Sequence, residues 1–216
     1  MMATQTLKAA DLIALFNSWK MLFAEQRDYL IALDGKVGDS DLGITMSKSF
    51  SAAAEALEAE GGGAGIAKLL RTAGATMART APSTMGTLTA TGFLRGSKAV
   101  EDTAELGTTE VAAFWRAYRN GVAERGKANV GDKTLLDVLD PIANSLERQA
   151  AANKDLCDAL LETAKVAEQA LESTKSMVAQ HGKAAAFQEK TKGLQDAGAT
   201  VGYLLIRQMS DFVSKL

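Results

Sequence analysis

The sequence predicts an all-α fold, a single domain over residues 1–216 built as an eight-helix antiparallel up-down barrel or bundle. Three observations predict it. The long segments are rich in alanine, leucine, lysine and glutamate, which favour helix. Their apolar residues recur at steps of three and four, and no segment alternates with the period of two that marks a strand. The breaks between segments are short, so neighbouring helices are expected to run antiparallel.

The first helix is expected over about Leu7–Leu33, where Leu12, Leu15, Phe16, Trp19, Leu22, Phe23, Tyr29, Leu30 and Leu33 share one face. An acidic loop follows, and a second helix runs from Asp41 or Leu42 to about Glu60, ended by the glycine-rich stretch 61–65. The third spans about Ile66–Thr80 and the fourth about Ser83–Val100, with "TAPSTMG" between them. The fifth begins at a capping pair, Thr108 and Thr109, and reaches about Arg125. "GKANVGDKT" leads into a sixth, which Pro141 is expected to kink or interrupt. The seventh covers about Asp155–Gln180 and the eighth about Ala199–Leu216.

Composition narrows the function classes. Hydrophobic residues make up 47% and charged residues 23%, and the net charge is −2, so the electrostatic footprint of a nucleic-acid binder is missing. No apolar run approaches the roughly 20 residues that span a bilayer, so no membrane partner is expected. The stretch "MMATQTLKAADLIALF" lacks the basic region and continuous apolar core of a leader peptide. One cysteine, Cys157, excludes an internal disulfide framework and suits a reducing cytoplasm.

The chemistry concentrates in "LDGKVGDSDLG", residues 33–43, where Asp34, Asp39 and Asp41 crowd among glycines. Carboxylates brought to one spot suit a hard cation such as magnesium, which takes oxygen ligands and shares them with phosphate. A calcium loop fails on spacing, since Phe50 stands where its closing glutamate belongs. The competing reading has Asp41 cap the following helix while Asp34 and Asp39 are merely solvated. "GKANVGDKT" is not a phosphate loop, because Asp132 intrudes before Lys133 and a helix precedes it. "GGGAG" fails as a dinucleotide fingerprint for want of a strand. The helix starts at "TAPSTMGTLTATG" and "QDAGAT" could hold an anion or be ordinary caps through Ser83 and Asp196. His181, the only histidine, reads as a helix-end residue, and Cys157, Trp19 and Trp115 as core.

Taken together, "LDGKVGDSDLGITMSKSF", "GVAERGKANVGDKTLLDVL" and "QHGKAAAFQEKTKGLQDAGAT" resemble, in that order, the L subunit of dihydroxyacetone kinase, a nucleotide-binding subunit. The resemblance implies an eight-helix barrel with the nucleotide at one end. It implies that Asp34, Asp39 and Asp41 hold two magnesium ions bridging the phosphates of ADP or ATP. Leu42, Gly43 and Thr45 would line the phosphate and ribose side, Ala81, Ser83 and Thr84 would bind phosphate, and Gly126 and Leu135 would pack on the adenine. Lys183, Asp196 and Gly198 would close the pocket. Leu42 and Thr45 replace the family's usual histidine and asparagine, which implies a divergent branch acting on another short ketose.

The activity implied is phosphoryl transfer to the alcohol group of dihydroxyacetone or a related ketose, of the glycerone kinase type. The ketose would sit on a separate K-type subunit, with a phosphotransferase-system phosphocarrier protein as a further partner in some members. A homodimer is left open. A non-catalytic nucleotide-binding regulatory subunit is the alternative.

Overall fold

The computed structural model describes residues 5–216, so residues 1–4, the start of the stretch read for a leader peptide, lie outside it. Among the described residues there are nine α-helices: α1 Ala9–Glu25, α2 Arg27–Asp34, α3 Leu42–Glu60, α4 Ile66–Thr80, α5 Thr84–Ala99, α6 Thr108–Gly126, α7 Leu136–Ala151, α8 Leu156–Ser173 and α9 Ala197–Val213. No strand occurs among them; a single antiparallel bridge, Leu7 with Leu106, ties the N-terminal segment to the α5–α6 loop. Among the described residues no helix is long and apolar enough to cross a membrane.

Each long helix packs on its sequence neighbours, α3 on α4 through to α8 on α9. Contacts of α1 with both α3 and α9 close the order into a ring, and α2 lies against α3. The apolar faces meet in one continuous core. At its centre Phe23 stacks on Phe50 with ring centroids 4.5 Å apart, and Phe16, Trp19 and Phe93 surround them. Phe93 then hands the aromatic cluster on to Phe114 and Tyr118 of α6.

Several expected boundaries are corrected. The first helix is two, broken at Gln26 (φ −83°, ψ 1°), because hydrogen bonds from Gln26 N to Leu22 O and from Leu30 N to Gln26 O continue on either side of a one-residue bend. The helix expected to reach Gln180 ends at Ser173 and tightens into a 3-10 turn, Thr174–Ser176, where the Thr174 hydroxyl donates back to the Leu171 carbonyl at 2.7 Å. Pro141 lies inside α7 without ending it. At α6 the cap residue is Gly107, whose N–H donates to Glu110 at 3.0 Å. Thr108 instead donates its hydroxyl to the Lys154 carbonyl at 2.8 Å, bracing the loop before α8.

Candidate metal and anion site

The acidic motif occupies the turn between α2 and α3. Asp34 is the last residue of α2, Asp41 is the residue just before α3, and Ser40 takes a left-handed φ of 64° to reverse the chain between them. The Asp34 carboxylate accepts the N–H groups of Asp41 at 3.0 Å and Leu42 at 3.4 Å. The simple capping alternative therefore fails: Asp41 makes no side-chain cap bond, and Asp34 covers the helix start from the preceding turn. Glycine is required where this turn closes. A Cβ on Gly38 would fall 2.2 Å from Asp34 Oδ1, and one on Gly43 would fall 2.0 Å from the Arg27 carbonyl oxygen.

This geometry brings one carboxylate oxygen from each of Asp34, Asp39 and Asp41 within 4.8 Å of the others. The crowding has an electrostatic signature. Burial, then the charges of Asp39 and Asp34, hold Asp41 above the usual carboxylate range, opposed by Lys183. Lys183 pairs with Asp39, and that pairing raises its own pKa.

The three acids stand at the mouth of a cavity of about 840 Å³. Its walls come from the ends of most helices: the first residues of α3, α5, α7 and α9, and the last of α2 and α6. Such alternation is what a ring of antiparallel helices produces, and it aims four positive helix-dipole ends at one space. Three of those ends already meet carboxylates. Asp34 covers α3, Asp196 caps α9 by accepting Ala199 N at 2.7 Å, and Asp137 accepts Thr134 N at 2.6 Å and Gly131 N at 2.5 Å beside the start of α7. Only α5 is capped by a neutral group, the Ser83 hydroxyl, which accepts Gly86 N at 3.0 Å. The uncompensated positive end is thus α5, the natural seat for an external anion.

Of the residues expected at the site, Asp34, Asp39, Asp41, Leu42, Ser83, Thr84, Gly126, Leu135, Lys183, Asp196 and Gly198 all border this cavity. Gly43, Thr45 and Ala81 do not. Gly43 is pressed against α2, and buried Thr45 donates its hydroxyl to Ser83 Oγ at 3.2 Å, linking α3 to the cap of α5. Ala81 is buried with its carbonyl against Gly86. Sequence reasoning missed Lys133, Leu88, Val122 and Arg125 on the wall. It also misplaced His181, which is no helix-end residue: its Nε2 lies 2.9 Å from Asp132 Oδ2 in the cavity wall. Cys157 is only partly buried, at the edge of the core, whereas Trp19 and Trp115 lie within it. A smaller depression of about 480 Å³ beside Tyr29, Tyr203 and Arg207 holds none of the three acids.

Comparison with known proteins shows the family and the fold. The family model described as the DAK2 domain matches residues 36–211. The chain is 33% identical over 189 residues to the PEP-dependent dihydroxyacetone kinase, ADP-binding subunit DhaL, of Escherichia coli (strain K12), covering 88% of this chain and 90% of that one. It is 34% identical to the corresponding subunit of dihydroxyacetone kinase 1 of Listeria innocua, covering 86% and 87%. D-erythrulose kinase of Mycolicibacterium smegmatis is 32% identical, but there the match takes 92% of this chain and only 34% of the relative. The crystal structure of the dihydroxyacetone kinase from C. freundii in complex with AMP-PNP and Mg2+ superposes with a TM-score of 0.74 at 21% identity, over 98% of this chain and 36% of that one, and so shares the fold.

Proposed function

Because this chain belongs to the DAK2 domain family, we propose that it is the nucleotide-binding subunit of a dihydroxyacetone-type kinase, moving a phosphoryl group from a bound adenine nucleotide to a short ketose. The observation that carries this reading is the convergence of Asp34, Asp39 and Asp41 at the mouth of a cavity whose size suits a nucleotide. Three anionic oxygens so close repel one another until a cation joins them, and an all-oxygen donor set fits a hard ion such as magnesium. We assign the site two such ions.

The chain's own groups have distinct tasks in this reading. Asp34, Asp39 and Asp41 hold the cations, and Asp34 also orders the turn through the N–H groups of Asp41 and Leu42. The start of α5, with Ser83 and Thr84, receives phosphate oxygens on backbone donors that no carboxylate occupies. Leu88, Val122, Gly126 and Leu135 offer an apolar wall to the base. Lys183, which pairs with Asp39, would be free to meet a phosphate oxygen if a cation were bound by the carboxylates. Magnesium held there would neutralise charge on the phosphate oxygens, and the protein's own groups would contribute positioning and electrostatics more than covalent chemistry.

The ketose belongs on a separate K-type subunit in this reading. The single histidine, His181, is engaged with Asp132 and is not offered to a substrate. The chain aligns with 90% of the E. coli ADP-binding subunit and with about a third of the erythrulose kinase. The names of the E. coli and Listeria relatives, PEP-dependent and ADP-binding, further favour a bound ADP recharged from phosphoenolpyruvate, and that of a Lactococcus lactis relative, PTS-dependent, favours a phosphocarrier protein as the intermediary. The same reading sets the chain in the cytoplasm, where these phosphoryl donors are made.

Calorimetry with ADP and magnesium tests the proposal. Tight binding that requires the metal is expected, and none by Asp39→Ala; equal binding by both proteins overturns the metal role. Slow release of ADP on washout supports the relay, and rapid exchange with ATP opposes it.

A further inference from the structure

Residues 177–195, between the 3-10 turn after α8 and the start of α9, form a strap along the cavity that contains no α-helix. Of these residues only Ala179 and Thr191 are buried, so apolar packing does little to hold the strap. Polar contacts must do so, since irregular backbone needs partners for its carbonyls. Three of those carbonyls converge on one group. Lys133 Nζ donates to the oxygens of Met177 at 3.2 Å, Thr191 at 2.5 Å and Leu194 at 2.7 Å.

An ammonium has three N–H donors, and here all are spent on the strap. Lys133 is 4% exposed and adopts a left-handed φ of 60°, a conformation that costs a side-chain-bearing residue energy. The neighbouring residue adds two ties: the Asp132 carbonyl accepts Gln180 N at 3.0 Å, and its carboxylate meets His181. Two residues beyond that root, Lys183 reaches the acidic turn.

We propose that Lys133 is a positioning residue: by gathering three strap carbonyls it fixes the root of the strap, and so sets Lys183 over the acidic turn. Its binding consequence rests on the nucleotide reading above, whereas the strap geometry does not. Replacing the ammonium with a methionine of similar length leaves three carbonyls without donors. With little apolar packing to hold it, the strap then opens locally while the ring of helices stays closed.

Hydrogen exchange on Lys133→Met tests the first half. Strap amides should exchange about tenfold faster or more, the equivalent of losing one buried hydrogen bond, with α7 and α9 unchanged. Unchanged strap exchange, or an equal rise across α7 and α9, overturns the proposal. Titration with ADP and magnesium tests the second half. Lys133→Met and Lys183→Met should each weaken binding, and the double variant should bind no more weakly than the worse single one. Additive losses overturn action through Lys183. If the unaltered protein takes up no ADP, the nucleotide reading falls, and the exchange experiment alone decides the role of Lys133.

Discussion

The Asp34 carboxylate accepts the backbone N–H of Asp41 at 3.0 Å, so the first acid of the motif shapes the turn that presents the other two. Asp34 and Asp39 should therefore fail differently when replaced. Asp34→Ala removes a cation ligand and a helix-start acceptor together, and should lower stability by about 1 kcal/mol as well as abolish magnesium-dependent ADP binding. Asp39→Ala should abolish binding with stability unchanged or slightly raised, because a repelling charge is gone. Urea melts beside calorimetry on both variants check this.

Lys183 and Asp39 form an ion pair across 144 positions of sequence, and that pair competes with any cation for the carboxylate. Lys183→Met should strengthen binding of manganese alone a few-fold while weakening ADP in the presence of metal. Titration of manganese, with and without ADP, reads both directions. Exposure and salt screening keep the first effect small.

Burial pushes the Asp196 carboxyl up to about 6, the Ala199 and Gly198 N–H groups and Lys133 opposing. Below about pH 4 the group is protonated folded and unfolded alike. Between about pH 4 and 6 the unfolded chain gives up its proton while the folded chain keeps it, so the folded state loses up to about 3 kcal/mol as pH rises. Asn still caps a helix but carries no charge. Asp196→Asn should accordingly be more stable than the parent at pH 7, with the gap closing near pH 4. Urea unfolding at the two pH values measures it.

Gly92 of α5 lies under the fully buried Tyr118 ring, and a Cβ there would stand 2.4 Å from Tyr118 Cζ. Gly92→Ala should separate α5 from α6 and cost about 1–3 kcal/mol. Thermal and urea melts report the loss, and ADP affinity of the folded fraction should be little changed.

Reading the chain in order recovered most helices because the apolar face of an amphipathic helix repeats locally, as Leu12, Leu15, Phe16 and Trp19 do in α1. It missed the bend at Gln26, where neither glycine nor proline marks the break and the apolar pattern continues into Leu30. It carried α8 too far because residues 174–180 contain no glycine or proline either, while the Thr174 hydroxyl bonds back to Leu171 and also accepts Asp196 N from across the fold.

The site divides in the same way. Asp34, Asp39 and Asp41 share one turn, so their nearness to one another was legible in their spacing alone. Thr45 lies only four residues beyond Asp41, yet its hydroxyl turns inward to Ser83, because its place on α3 faces α5 and not the cavity.

By itself, then, the sequence determined the helices and the acidic turn, since both depend on residues a few positions apart. Tertiary structure alone decided that four helix starts share one end, that α5 is the start left free of carboxylate, and that Lys133 and Lys183 anchor the strap at its root and tip. Those relations join residues far apart in the chain, and only the packing of helix faces against one another sets which of them meet.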